Sequence, residues 1–86
     1  MEQPGLEKRI EQGRMLAARL EKLSPDSRWA RRGSGARGNL VRLLDDLQGQ
    51  VDQQQTVHAE DLEYLEKLVS FGFWILEKAA REIVVD

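Results

Sequence analysis

Residues 24–48 read SPDSRWARRGSGARGNLVRLLDDLQ, and the fold turns on whether they form one helix. Trp29, Gly33, Ala36, Leu40, Leu43 and Leu47 recur at steps of 4-3-4-3-4, the spacing of an apolar stripe along an α-helix. Glycines at 33, 35 and 38 oppose that reading, because each costs roughly 1 kcal/mol relative to alanine inside a helix. The regular spacing on both sides of them favours one continuous helix, with a break at Gly33–Gly38 as the alternative. Ser24 suits an N-cap and Pro25 the first helical position, which places the helix at about 25–48.

The flanking segments repeat the pattern. Leu6, Ile10, Gly13, Ala17 and Leu20 are spaced 4-3-4-3, widened by Leu16 and Leu23, and predict a first helix over about 6–23. Leu62, Leu65, Val69, Gly72, Leu76, Ala79 and Ile83 predict a third over about 57–84. Between the second and third, residues 49–56 (GQVDQQQT) read as a polar loop, with Thr56 as a cap. Strand-like alternation is nowhere sustained. The fold class is therefore all-α: a single-domain up-down-up three-helix bundle with coiled-coil-like packing.

A tight turn at Ser24-Pro25 would pair Gly13 with Ala36 and Ile10 with Leu40. Folding the third helix back would pair Ala36 with Gly72 and Gly33 with Leu76. Gly13, Gly33, Ala36 and Gly72 then form a small-residue packing region, with Gly13, Ala36 and Gly72 in one layer. Its simplest meaning is a waist where backbones approach closely. A small cavity or a slot for a partner's side chain are the other meanings.

Composition narrows the function. The 86 residues are 33% charged and contain no cysteine, which excludes disulfides and thiolate metal sites. The start MEQPGLEKR lacks the apolar core of a signal peptide, and the longest largely apolar run, Leu68–Leu76, is too short to span a bilayer. A cytoplasmic protein without membrane contact, linker or targeting segment is the expectation. Residues 1–44 carry ten Lys/Arg against five Asp/Glu, and residues 45–86 three against ten. Such asymmetry suits nucleic-acid contact by the basic half, two halves that face each other, or, most plainly, a solvated and salt-bridged helix surface.

Chemistry-bearing patterns are sparse. Gly33–Gly38 fits G-x-G-x-x-G, but the preceding SRWARR is too charged for the buried strand a dinucleotide site needs. His58 is the single histidine, so Ser24, Ser27, Ser34 and Ser70 lack an activating base, and a metal would lack a second nitrogen ligand. No enzyme, cofactor or metal is expected.

Two surfaces remain. Arg28, Arg31 and Arg42, with Arg32 and Arg37 beside them, edge an outer strip of the second helix and could hold carboxylate or phosphate. On the third helix, Tyr64, Leu68, Phe71 and Ile75 form a second apolar stripe roughly 110° from the first, with Trp74 at its border. That surplus predicts a protein interface, most simply a homodimer with the third helices antiparallel. The alternatives are a wider core, in which the first two helices cover both stripes within one chain, and a membrane surface, which the acidic third helix disfavours. The expected role is an interaction or assembly module that self-associates, with another protein as the other possible partner. A nucleic-acid or phosphate-binding accessory role is the second reading.

Overall fold

The computed structural model describes residues 5–84, and over them the chain is three packed helices. They are α1 (Leu6–Glu21), α2 (Ala30–Asp52) and α3 (Ala59–Val84). Each touches the other two, in a rod of 52 × 18 × 17 Å. A rod this slim holds one file of core side chains. Leu6, Ile10, Leu16, Ala17 and Leu20 meet Leu40, Leu43, Leu44 and Leu47 of α2, and Leu65, Leu68 and Ile75 of α3. The expected stripe position Ile83 has its side chain outside the described residues.

Helix α2 runs unbroken through Gly33–Gly38. Its ends differ from expectation. Pro25 does not open the helix; residues 22–29 form a longer connection. Within it the Ser24 hydroxyl accepts from the Asp26 N–H at 3.3 Å, and the Ser27 hydroxyl accepts from the Trp29 N–H at 3.1 Å. These local bonds compete with the helical ladder. The first α2 turn closes only at Gly33 N–H to Trp29 C=O, 2.8 Å.

At the other end, Gly49–Asp52 are helical rather than loop. The stop is a Schellman motif: Gln55 N–H donates to Gln50 C=O at 2.8 Å, and Gln54 N–H to Val51 C=O at 3.0 Å. Gln54 takes the left-handed conformation, φ 57°. The loop is thus residues 53–58, and Thr56 does not cap α3. His58 precedes the first turn instead, its C=O accepting from Leu62 N–H. Val57 is buried, and with Leu62 it occupies the positions of a hydrophobic staple.

The longer connection moves the α1–α2 register. A Cβ on Gly13 would lie 2.8 Å from Leu44 Cδ2, not beside Ala36, so the pairing is displaced by about two turns. Arg14–Asp45 at 3.1 Å and Arg37–Glu21 at 3.7 Å confirm the displacement. Between α2 and α3 the expected level holds, with Gly33 against Ile75 and Ser27 against Glu82. Gly13, Gly33, Ala36 and Gly72 are all buried, but Gly13 leaves the layer of the other two. Nor do backbones pinch at the glycines. Each glycine accepts a leucine: Leu44 at Gly13, Leu16 at Gly72, and Leu23 at Gly33.

Candidate interaction face

Helix α3 is rotated relative to the expected stripe. Its most buried residues are Leu65, Leu68, Ile75 and Ala79, together with Gly72. Leu62, Val69 and Leu76 pack at the margin. Two apolar stripes 110° apart cannot both point at one narrow core, and the helix settles with the sector between them inward. The interface expectation for Leu68 and Ile75 is therefore corrected: they are 8% and 0% exposed and belong to the core.

Tyr64, Phe71 and Trp74 stay outside, between 39% and 46% exposed, as does Phe73 on another flank. Spaced 7-3, Tyr64, Phe71 and Trp74 line one side of α3, with Lys67 between Tyr64 and Phe71 and Lys78 one turn beyond Trp74. Trp74 stacks on Phe71 at 5.9 Å and meets Trp29 edge-to-face at 5.1 Å. Both geometries suit the ring quadrupoles. Arg32 lies over Trp29 at 5.1 Å and Lys78 over Trp74 at 5.8 Å. Trp29 is half-buried rather than a core residue. The result is a ladder of three aromatic rings across the seam between the start of α2 and the middle of α3, with Arg32 over its Trp29 end and Lys78 over its central ring, Trp74. The sequence shows each member, but not the Trp29–Trp74 contact, which depends on the α2–α3 level.

The arginines divide. Arg28 lies in the connection, and its N–H donates to Glu82 Oε1 at 3.0 Å. Ser27 Oγ donates to Glu82 Oε2 at 2.7 Å, and the Arg28 guanidinium stands 3.7 Å from Oε1. These contacts, led by the backbone N–H, hold the Glu82 carboxyl below its ordinary value of 4.5 against partial desolvation. Arg37 turns toward α1 and pairs with Glu21. Arg28 and Arg37 thus leave the expected strip. What remains on the outer face of α2 is Arg31, Gly35, Gly38 and Arg42, within about 60° of arc by the 100° step, with Arg32 beside it. Arg42 donates to Asn39 Oδ1 at 3.4 Å. Among the described residues Arg31, Arg32 and Arg42 have no carboxylate within ion-pair distance, and nothing lies within 4 Å of a Cβ built on Gly35 or Gly38.

No protein family, curated protein or solved structure matches this chain. No helix among the described residues is long and apolar enough to cross a membrane, and no group of three or more His, Asp or Glu among them is placed to hold a metal ion. His58 is exposed at the start of α3. The arrangement offers partly exposed aromatic rings bordered by cations; aromatic residues and arginine are the types enriched at protein interfaces.

Proposed function

We propose that this chain is a small protein-interaction module that self-associates through the aromatic face formed by Tyr64, Phe71 and Trp74 of α3 together with Trp29. The observation that carries this reading is the Trp29–Trp74–Phe71 ladder standing at the surface of a rod too slim to enclose it. Aromatic rings are the side chains most enriched at the energetic centres of interfaces. Each α3 aromatic keeps only 39–46% of its surface exposed, so burying it contributes on the order of 1 kcal/mol, and paired copies of the ladder together can offset part of the cost of association.

The phosphate-binding reading has weaker support, because Arg28 and Arg37 are engaged by Glu82 and Glu21, and Glu63, Glu66 and Glu77 crowd the exposed side of α3. Sedimentation of wild type and Phe71→Glu from 1 µM to several hundred µM tests the proposal, on the order of the affinities a small interface supports. A concentration-dependent dimer in wild type, lost in a Phe71→Glu variant that keeps its helical spectrum, is the expected result. A wild type that stays monomeric throughout overturns it. Salt-sensitive capture of an oligonucleotide by that monomer would move the assignment to phosphate binding.

A further inference from the structure

The side of α3 turned toward α2 carries Glu60, Tyr64, Lys67, Phe71, Trp74 and Lys78 at steps of 4-3-4-3-4. The series is symmetric about Val69: Glu60 and Lys78 each stand nine residues from it, Tyr64 and Trp74 five, and Lys67 and Phe71 two. On the adjoining side of α2, Arg32 and Asp46 each stand seven residues from Asn39. The two midpoints are level. Gly33 stands against Ile75, and six residues on along α2 and six back along α3 bring Asn39 beside Val69. Opposite charges therefore mark the two ends of the seam, Arg32 and Lys78 near Trp29, Asp46 and Glu60 beyond Tyr64. Among the described residues none of these four has an oppositely charged group within ion-pair distance.

From this symmetry we infer that a second copy of this chain sits antiparallel on the seam, about a twofold axis that crosses the rod at the level of Asn39 and Val69. The inference rests on the self-association proposed above and gives its geometry. An axis in that place lays α3 on the partner's α3 and α2 on the partner's α2, each reversed end for end. Lys78 then faces Glu60 of the partner subunit, and Arg32 faces Asp46 of the partner subunit. The twofold repeats both contacts, so charges that are unpaired in the single chain are paired in the dimer. Glu60 and Lys78 are eighteen residues apart, five whole turns, and so point the same way from the helix. Trp74 comes level with the partner's Tyr64, and the two copies of Phe71 flank the axis, about 6 Å apart along the rod.

Other placements of the same two seams oppose like charges. Sliding the partner by seven residues, so that Phe71 is level with the partner's Trp74, puts Lys67 against the partner's Lys78. An axis parallel to the rod lays α2 on the partner's α3 and sets Lys78 and Lys67 against the partner's Arg32 and Arg42. The aromatic rings supply the affinity, and the charges at the ends of the seam select the alignment.

Charge reversal tests the inference by sedimentation. Arg32→Glu/Lys78→Glu and Asp46→Lys/Glu60→Lys should each weaken the homodimer roughly tenfold or more while leaving the helical spectrum intact. An equimolar mixture of the two variants should recover a dimer, because every end contact is then complementary again. Cross-linking gives a second readout. The sequence has no cysteine, so Asn39→Cys adds one thiol, which meets its own copy at the axis. Glutathione disulfide should join Asn39→Cys into a disulfide-linked dimer faster than Gln12→Cys, whose thiol lies on α1 away from the seam. Dimerisation that Phe71→Glu abolishes but neither reversal alters overturns this geometry and leaves the self-association reading standing. Weakened homodimers that fail to recover on mixing, or equal cross-linking at positions 39 and 12, also overturn it. A wild type monomeric at several hundred µM overturns both.

Discussion

Leu44 Cδ2 occupies the space that a side chain on Gly13 would need, 2.8 Å from where its Cβ would stand. Leu44 is fully buried. The same relation joins Leu16 to Gly72, also at 2.8 Å.

Gly13→Leu and Gly72→Leu should therefore each destabilise the fold by roughly 1–3 kcal/mol through overpacking, despite better helix propensity. Gly35→Ala and Gly38→Ala provide the contrast. With nothing within 4 Å, each should stabilise the monomer by about 0.5–1 kcal/mol. Urea denaturation of the four variants at a concentration where the monomer dominates reads both signs.

Truncation separates core from surface on α3. Ile75→Ala and Leu68→Ala remove fully or nearly buried side chains and should cost about 2–5 kcal/mol. Tyr64→Ala, at an exposed position of the aromatic face, should cost less than about 1 kcal/mol in monomer stability. Equal losses at all three would contradict the rotation of α3 described above.

Glu82 makes stability depend on pH in one direction. Its folded carboxyl is held below 4.5, so its contribution is fully in place above that unfolded value and is lost as pH falls through the lower, folded one. Thermal melts from pH 7 to pH 3 should show this loss in wild type. Glu82→Gln should lower the melting temperature at pH 7 and show a smaller fall on acidification.

Gln54 holds a conformation that costs an ordinary side chain roughly 1 kcal/mol. At φ 57° in a Schellman motif, glycine meets no such penalty. Gln54→Gly should raise stability by up to about 1 kcal/mol. An unchanged or lowered urea midpoint would count against the strain.

Periodicity made much of this fold legible. The α1 stripe from Leu6 to Leu20 and the α2 stripe from Gly33 to Leu47 are buried as their spacing predicts. The α1–α2 register was not legible, because the connection takes its shape partly from a carboxylate 55 residues away, at Ser27–Glu82. No local signal around Pro25 announces that partner. The aromatic face was half legible. Spacing shows that Tyr64, Leu68, Phe71 and Ile75 share a sector, but which edge turns inward depends on Val69 and Leu76 competing for the same narrow core. Leu44 was missed for a related reason. It lies off the strict 4-3 series, and only the hole at Gly13 shows why it is buried.

The three occupied glycines also settle which alignment of the helices is allowed. Helices with heptad leucines can slide past one another by seven residues and still bring apolar side chains together, so competing alignments differ little in buried area. In this chain such a slide is blocked. Moving α2 one heptad along α1 would drive Leu44 onto Leu6 or Leu20 in place of Gly13, and moving α3 along α1 would set Leu16 against Leu65 or Ala79 in place of Gly72. Each mismatch puts a side chain where the native alignment leaves a hole. Residues that lower the intrinsic stability of their own helices thereby widen the energy gap between the native arrangement and its nearest imitations.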